Sequence, residues 1–146
     1  MAGSKKDAFE TSILQHIFQN MAVSGIGDST GLPAGTAGSL YVALFTADPS
    51  DSAQGTETSY TNYDRKAVAR SAAGWTVTAG AASNAAAITF AQCGTTGATL
   101  TGFAICKGGT TGTNDQIYWG TLSSNLTVST GVTPEFAIGA LVVNED

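Results

Sequence analysis

Thr99-Leu-Thr-Gly-Phe-Ala-Ile-Cys106, Asp115-Gln-Ile-Tyr-Trp-Gly-Thr121, Asn125-Leu-Thr-Val128 and Pro134-Glu-Phe-Ala-Ile-Gly-Ala-Leu-Val-Val143 follow one another through the last third of the chain. Each run is short and rich in β-branched and aromatic residues, and Gly-, Ser- and Thr-rich breaks separate them. Consecutive antiparallel strands are therefore predicted. Further strands are predicted upstream at Ser39–Thr46, Tyr60–Ser71, Trp75–Thr78 and Ser83–Phe90, which brings the total to about eight. This count and turn spacing predict a mainly β fold, an antiparallel β-sandwich.

The exception is the N-terminus. Phe9, Ile13, Ile17 and Met21 recur every fourth residue, with Leu14 and Phe18 alongside, so residues 7–21 read as an amphipathic helix. Asp7 stands where a cap or first-turn acid belongs, and Glu10 where a capping box places its acid. The stripe Phe9, Ile13, Ile17 and Met21 must bury against something and is the candidate interface, with a partner subunit favoured over the chain's own sheets. The organisation read from the sequence is a helix over 1–23, a Gly-rich connection over 24–38 and a β-sandwich over 39–146, one domain overall.

Charged residues make up only 12% of the 146 positions, about half the usual share. A surface this neutral suggests that other chains cover part of it, and a homo-oligomer is expected. A net charge of −5 with only six Lys and Arg argues against a nucleic-acid partner. Arg65, Lys66 and Arg70 cluster, and either a local carboxylate contact or a solvated or salt-bridged strand face accounts for them. No apolar run approaches the length of a membrane span, and Met1-Ala-Gly-Ser-Lys-Lys-Asp7 leads into no apolar export signal. Folding in a reducing cytosol follows, with Cys93 and Cys106 as free, buried thiols.

Chemistry finds little to use. The single histidine, His16, lies on the helix without a locatable nucleophile or orienting acid, and one His with two distant Cys matches no zinc spacing. The acidic loop offers Asp48, Asp51 and Glu57 as candidate calcium ligands, but their spacing follows no EF-hand pattern. The glycine clusters lack the lysine and helix of a phosphate loop. No catalytic residue, cofactor site or metal site is assigned, and an enzyme is not expected. Trp75, Tyr118 and Trp119 are the aromatics able to stack on a sugar ring if they are exposed; alternation sends Tyr118 and Trp119 to opposite faces.

The order of segments resembles a family of small tailed-bacteriophage virion proteins, described as tail-fibre-like or head-decoration proteins. The resemblance runs through Leu40-Tyr-Val-Ala-Leu-Phe-Thr-Ala-Asp-Pro49, Tyr63-Asp-Arg65 with Ala67-Val68, and Ser83-Asn84 before Ala87-Ile-Thr-Phe90. It continues through Leu100–Ile105, Tyr118-Trp-Gly-Thr-Leu122, Thr127–Gly131 and Pro134–Leu141. Where the family pattern carries a glycine pair or triplet before Tyr63, this chain has Tyr60-Thr-Asn-Tyr63, which leaves the turn geometry open.

The resemblance implies a structural role in a virion, assembled from the host bacterial cytoplasm, with no catalytic residues. Partners would be other virion proteins, the major capsid protein or tail proteins, and a trimer is the favoured oligomer by analogy with decoration proteins. Acidity and small size favour a head decoration or cement protein on the capsid surface. The alternatives are a tail or baseplate component, such as a fibre-attachment or fibre-like protein, and a carbohydrate-binding receptor-recognition module.

Overall fold

The structure, a computed structural model, describes residues 5–23 and 35–145. Most of the Gly-rich connection read over 24–38 lies outside the described residues. The elements are α1 (Asp7–Gln19), β1 (Ser39–Ala47), β2 (Thr56–Glu57), β3 (Lys66–Ala69), β4 (Trp75–Thr78), β5 (Ala81–Asn84), β6 (Ile88–Thr89), β7 (Ala98–Cys106), β8 (Gln116–Val128), β9 (Glu135–Phe136) and β10 (Val142–Asn144). The fold is mainly β, its strands pair antiparallel, and one helix lies near the N-terminus. The chain groups into two compact units, one formed by residues 1–39, 69–87 and 136–146, the other by 40–68 and 88–135.

In the first unit α1 packs on a three-stranded sheet of order β10-β5-β4. Leu14 and Phe18 are fully buried, and the Phe18 ring meets Trp75 edge-on with centroids 4.7 Å apart. Burying side chains of this size contributes roughly 1.5–3 kcal/mol each. Asp7 is the first helical residue rather than a cap, and Lys6 precedes it without a side-chain capping bond. Asp7 and Glu10 still place negative charge at the positive end of the helix dipole. At the other end Asn20 turns left-handed (φ 57°) and the Met21 N–H reaches back to the Gln15 carbonyl at 3.2 Å, the glycine-type helix stop made by asparagine. Arg70 donates to the carbonyls of Ile17 (2.7 Å) and His16 (2.6 Å), satisfying acceptors that the last turn leaves open.

Asn84 shapes the same unit. Nearly inaccessible (1% exposed), it donates from Nδ2 to the carbonyls of Ala86 and Ala137, both at 2.8 Å, and accepts the Leu141 N–H on Oδ1 at 2.9 Å. These bonds replace ladder bonds. The predicted strand Ser83–Phe90 therefore breaks into β5 and β6, and the predicted strand Pro134–Val143 breaks into β9 and β10 with a turn at Gly139 (φ 72°) between them.

The second unit is built on the five-stranded sheet. Its path runs β2-β1-β7-β8, with β3 also on β1. The central strands β1 and β7 are almost wholly buried, as unbroken apolar runs require. Ala43, Phe45, Ala104 and Cys106 form one packed cluster against Tyr41.

Strand β8 departs most from expectation. It was read as two strands separated by Ser123-Ser124, yet Gln116–Val128 is one strand. Its pairing steps from Leu100↔Leu126 to Gly102↔Thr121, so Leu122, Ser123, Ser124 and Asn125 bulge opposite Thr101 alone. A smaller bulge at Ile117 separates Ile105↔Tyr118 from Cys106↔Gln116.

The predicted strand Tyr60–Ser71 survives only as β3. A turn replaces its first half, closed by Tyr63 N–H to Tyr60 carbonyl at 2.9 Å, and Asn62 takes the left-handed conformation (φ 78°) that glycine would supply. The predicted alternation across this segment fails for the same reason: Arg65 is buried while Ala67 and Ala69, expected on its face, are exposed.

Candidate functional site

Arg65 is the most heavily bonded side chain in the second unit. Its guanidinium meets Glu57 at two points, donates to Asp115 Oδ1 at 2.7 Å and to the carbonyls of Gly108 (2.7 Å) and Thr113 (3.1 Å). Glu57 also accepts from the Tyr63 hydroxyl (2.8 Å) and the Gly112 N–H (2.6 Å), and Asp115 accepts the Gly108 N–H at 2.7 Å. The network pins the β7–β8 hairpin loop to the start of the sheet's other edge. Burial alone would raise the Asp115 pKa, but hydrogen bonds from Arg65 and Gly108 outweigh it and hold the carboxyl below its ordinary value. Tyr63 is driven up by burial beside Glu57. This is a structural clamp with its charges paired inward.

The remaining ionisable candidates separate. Asp48 accepts from the hydroxyls of Thr101 (2.6 Å) and Thr121 (2.8 Å), Asp51 is exposed, and Glu57 belongs to the clamp. Among the described residues no three His, Cys, Asp or Glu come close enough to hold a metal ion. His16 shares a 2.8 Å hydrogen bond with the Met21 carbonyl at the helix end. Cys93 and Cys106 are buried and unbonded to each other. Burial, with Asp115 and Glu57 adding to it against Arg65, pushes the Cys106 thiol up to about 12. No helix among the described residues is long and apolar enough to cross a membrane.

Of the exposed apolar side chains, those of α1 and Trp119 belong to the candidates read from the sequence. On α1 the buried pair Leu14 and Phe18 lies beside the stripe read from the sequence, leaving Phe9 (39%) and Met21 (48%) exposed and Ile13 and Ile17 half-buried. The helix thus serves its own unit with one face and leaves a second open. On the five-stranded sheet Trp119 is 45% exposed, whereas Trp75 is completely buried under α1 and cannot serve as a platform. Nothing local in the sequence announced the clamp, because Glu57, Arg65 and Asp115 come from three separate segments.

A family model described as podophage GP4 fiber I protein gp80 matches residues 4–144. The chain belongs to this family. No curated protein matches it significantly. Membership in the fiber I family makes the chain a bacteriophage virion structural protein of fibre type, a component of the particle that contacts other virion proteins.

Proposed function

We propose that this chain is a non-enzymatic fibre subunit of a podophage tail, made in the host cytoplasm and assembled as a homo-oligomer, a trimer by preference, with neither nucleic acid nor membrane as partner. The observation that carries this reading is the fiber I family match across residues 4–144. Acidity and small size, which favoured head decoration, suit a tail component equally, whereas the family description names a fibre protein. The open stripe Phe9, Ile13, Ile17 and Met21 is the proposed contact with neighbouring subunits, supported by the exposure of Phe9 and Met21 on a helix whose other face is already buried. Immunogold labelling of intact particles with an antibody to this chain tests the location. Label at the tail supports the fibre reading, and label spread over the head shell overturns it.

A further inference from the structure

We propose that Trp119, Asp48 and Thr121 form a binding subsite for an uncharged, hydroxyl-rich sugar ring. The pairing Ala104↔Trp119 and Gly102↔Thr121 sends the indole and the Thr121 side chain out of the same face of β8, one pleat repeat or about 7 Å apart. Thr121 Oγ1 donates to Asp48 Oδ2 at 2.8 Å and Thr101 Oγ1 to Asp48 Oδ1 at 2.6 Å. The carboxylate lies over Gly102, where any Cβ would collide with Asp48 Oδ1. A residue just beyond the end of β1 is thereby carried across β7 to Thr121, two residues along β8 from the exposed Trp119 and on its face.

An ionised carboxylate offers about four acceptor sites, and the threonines occupy one on each oxygen. One per oxygen remains. Asp48 is only half-buried and forms no ion pair among the described residues. The same face of β8 thus carries an aromatic ring and, about one pleat repeat along it, a carboxylate held by two threonines. A pyranose lays its weakly positive C–H face on such a π-surface and donates two neighbouring hydroxyls to the carboxylate in charge-assisted bonds. The sign of the site selects further: an unneutralised carboxylate on a chain of net charge −5 repels sialic and uronic acids and admits neutral sugars.

The test is binding of the purified full-length chain to an array of neutral and sialylated glycans, followed by calorimetric titration of the strongest neutral glycan. Saturable binding to neutral glycans is expected. Trp119→Ala should weaken it at least tenfold with an unchanged circular dichroism spectrum, since the indole is exposed, and Asp48→Asn should weaken it as well. Failure to bind any neutral glycan at millimolar concentration, preference for sialylated glycans, or undiminished binding by both variants overturns the proposal. None of these results bears on where the chain sits in the particle, so the fibre reading stands or falls separately.

Discussion

Arg65 and Glu57 meet side by side, Nε to Oε1 and Nη2 to Oε2, both at 2.9 Å, with the arginine side chain wholly inaccessible. Two parallel bonds fix orientation as well as distance, so the pair sets the angle at which β2 meets the residues leading into β3.

Removing the guanidinium while keeping its bulk, in Arg65→Met, leaves Glu57 and the half-buried Asp115 without a counter-charge. A loss of about 3–5 kcal/mol in urea unfolding is expected. The triple change Arg65→Met, Glu57→Gln, Asp115→Asn should recover a substantial part of that loss, because no uncompensated charge remains.

Acid should weaken the same clamp. The Asp115 pKa is lowered in the folded chain, so its contribution is fully present above the unfolded carboxyl value of about 3.9 and is lost as pH falls through the folded value. Unfolding free energy measured from pH 6 downward should fall below about pH 4. In Asp115→Asn that part of the fall should be missing.

Both thiols should be silent in the folded chain. Cys93 and Cys106 are buried and Cys106 holds its proton up to about 12, so a disulfide reagent at pH 8 should react slowly in buffer and rapidly with both cysteines in guanidinium. Fast labelling of Cys106 under native conditions would contradict its burial.

Asn84→Ala deprives the Leu141 N–H and two carbonyls of their partner, and about 2–3 kcal/mol of stability should be lost. Asn84→Asp should be similarly damaging, since a carboxylate can accept from Leu141 but cannot donate to Ala86 and Ala137. Thermal unfolding of the two variants checks this.

The two faces of α1 should separate by experiment. Phe18→Ala should cost roughly 3–5 kcal/mol through its contact with Trp75. Phe9→Ser with Met21→Ser should leave stability within about 1 kcal/mol while lowering the oligomer fraction seen by native mass spectrometry. Monomer alone for the unaltered chain at micromolar concentration would remove both the proposed oligomer and the proposed interface.

What the sequence disclosed follows from the range of the forces involved. Strands β1 and β7 and helix α1 were legible because burial imposes a periodic or continuous apolar pattern on consecutive residues. The long strands read over 60–71, 83–90 and 134–143 were not, because their breaks come from Asn62 and Asn84, single residues whose left-handed backbone or side-chain bonds override propensity. Arg65 read as either a local carboxylate contact or a solvated or salt-bridged strand residue, and only the fold identifies the carboxylates as Glu57 and Asp115. In the same way Trp119 was legible as one of three aromatics, whereas the reach of Asp48 to β8 was not, since two threonines from other strands hold it there.

The bulge of Leu122–Asn125 bears on solubility. Strand β8 ends the sheet's path and carries neither a charge nor a proline, the usual guards of an exposed edge. Four residues looped against one interrupt its hydrogen-bonding rhythm, so an incoming strand finds no long straight template to copy. The end strand of the sheet is thereby kept from open-ended sheet growth by a backbone irregularity, leaving the outer side chains of β8 free to be chosen for recognition.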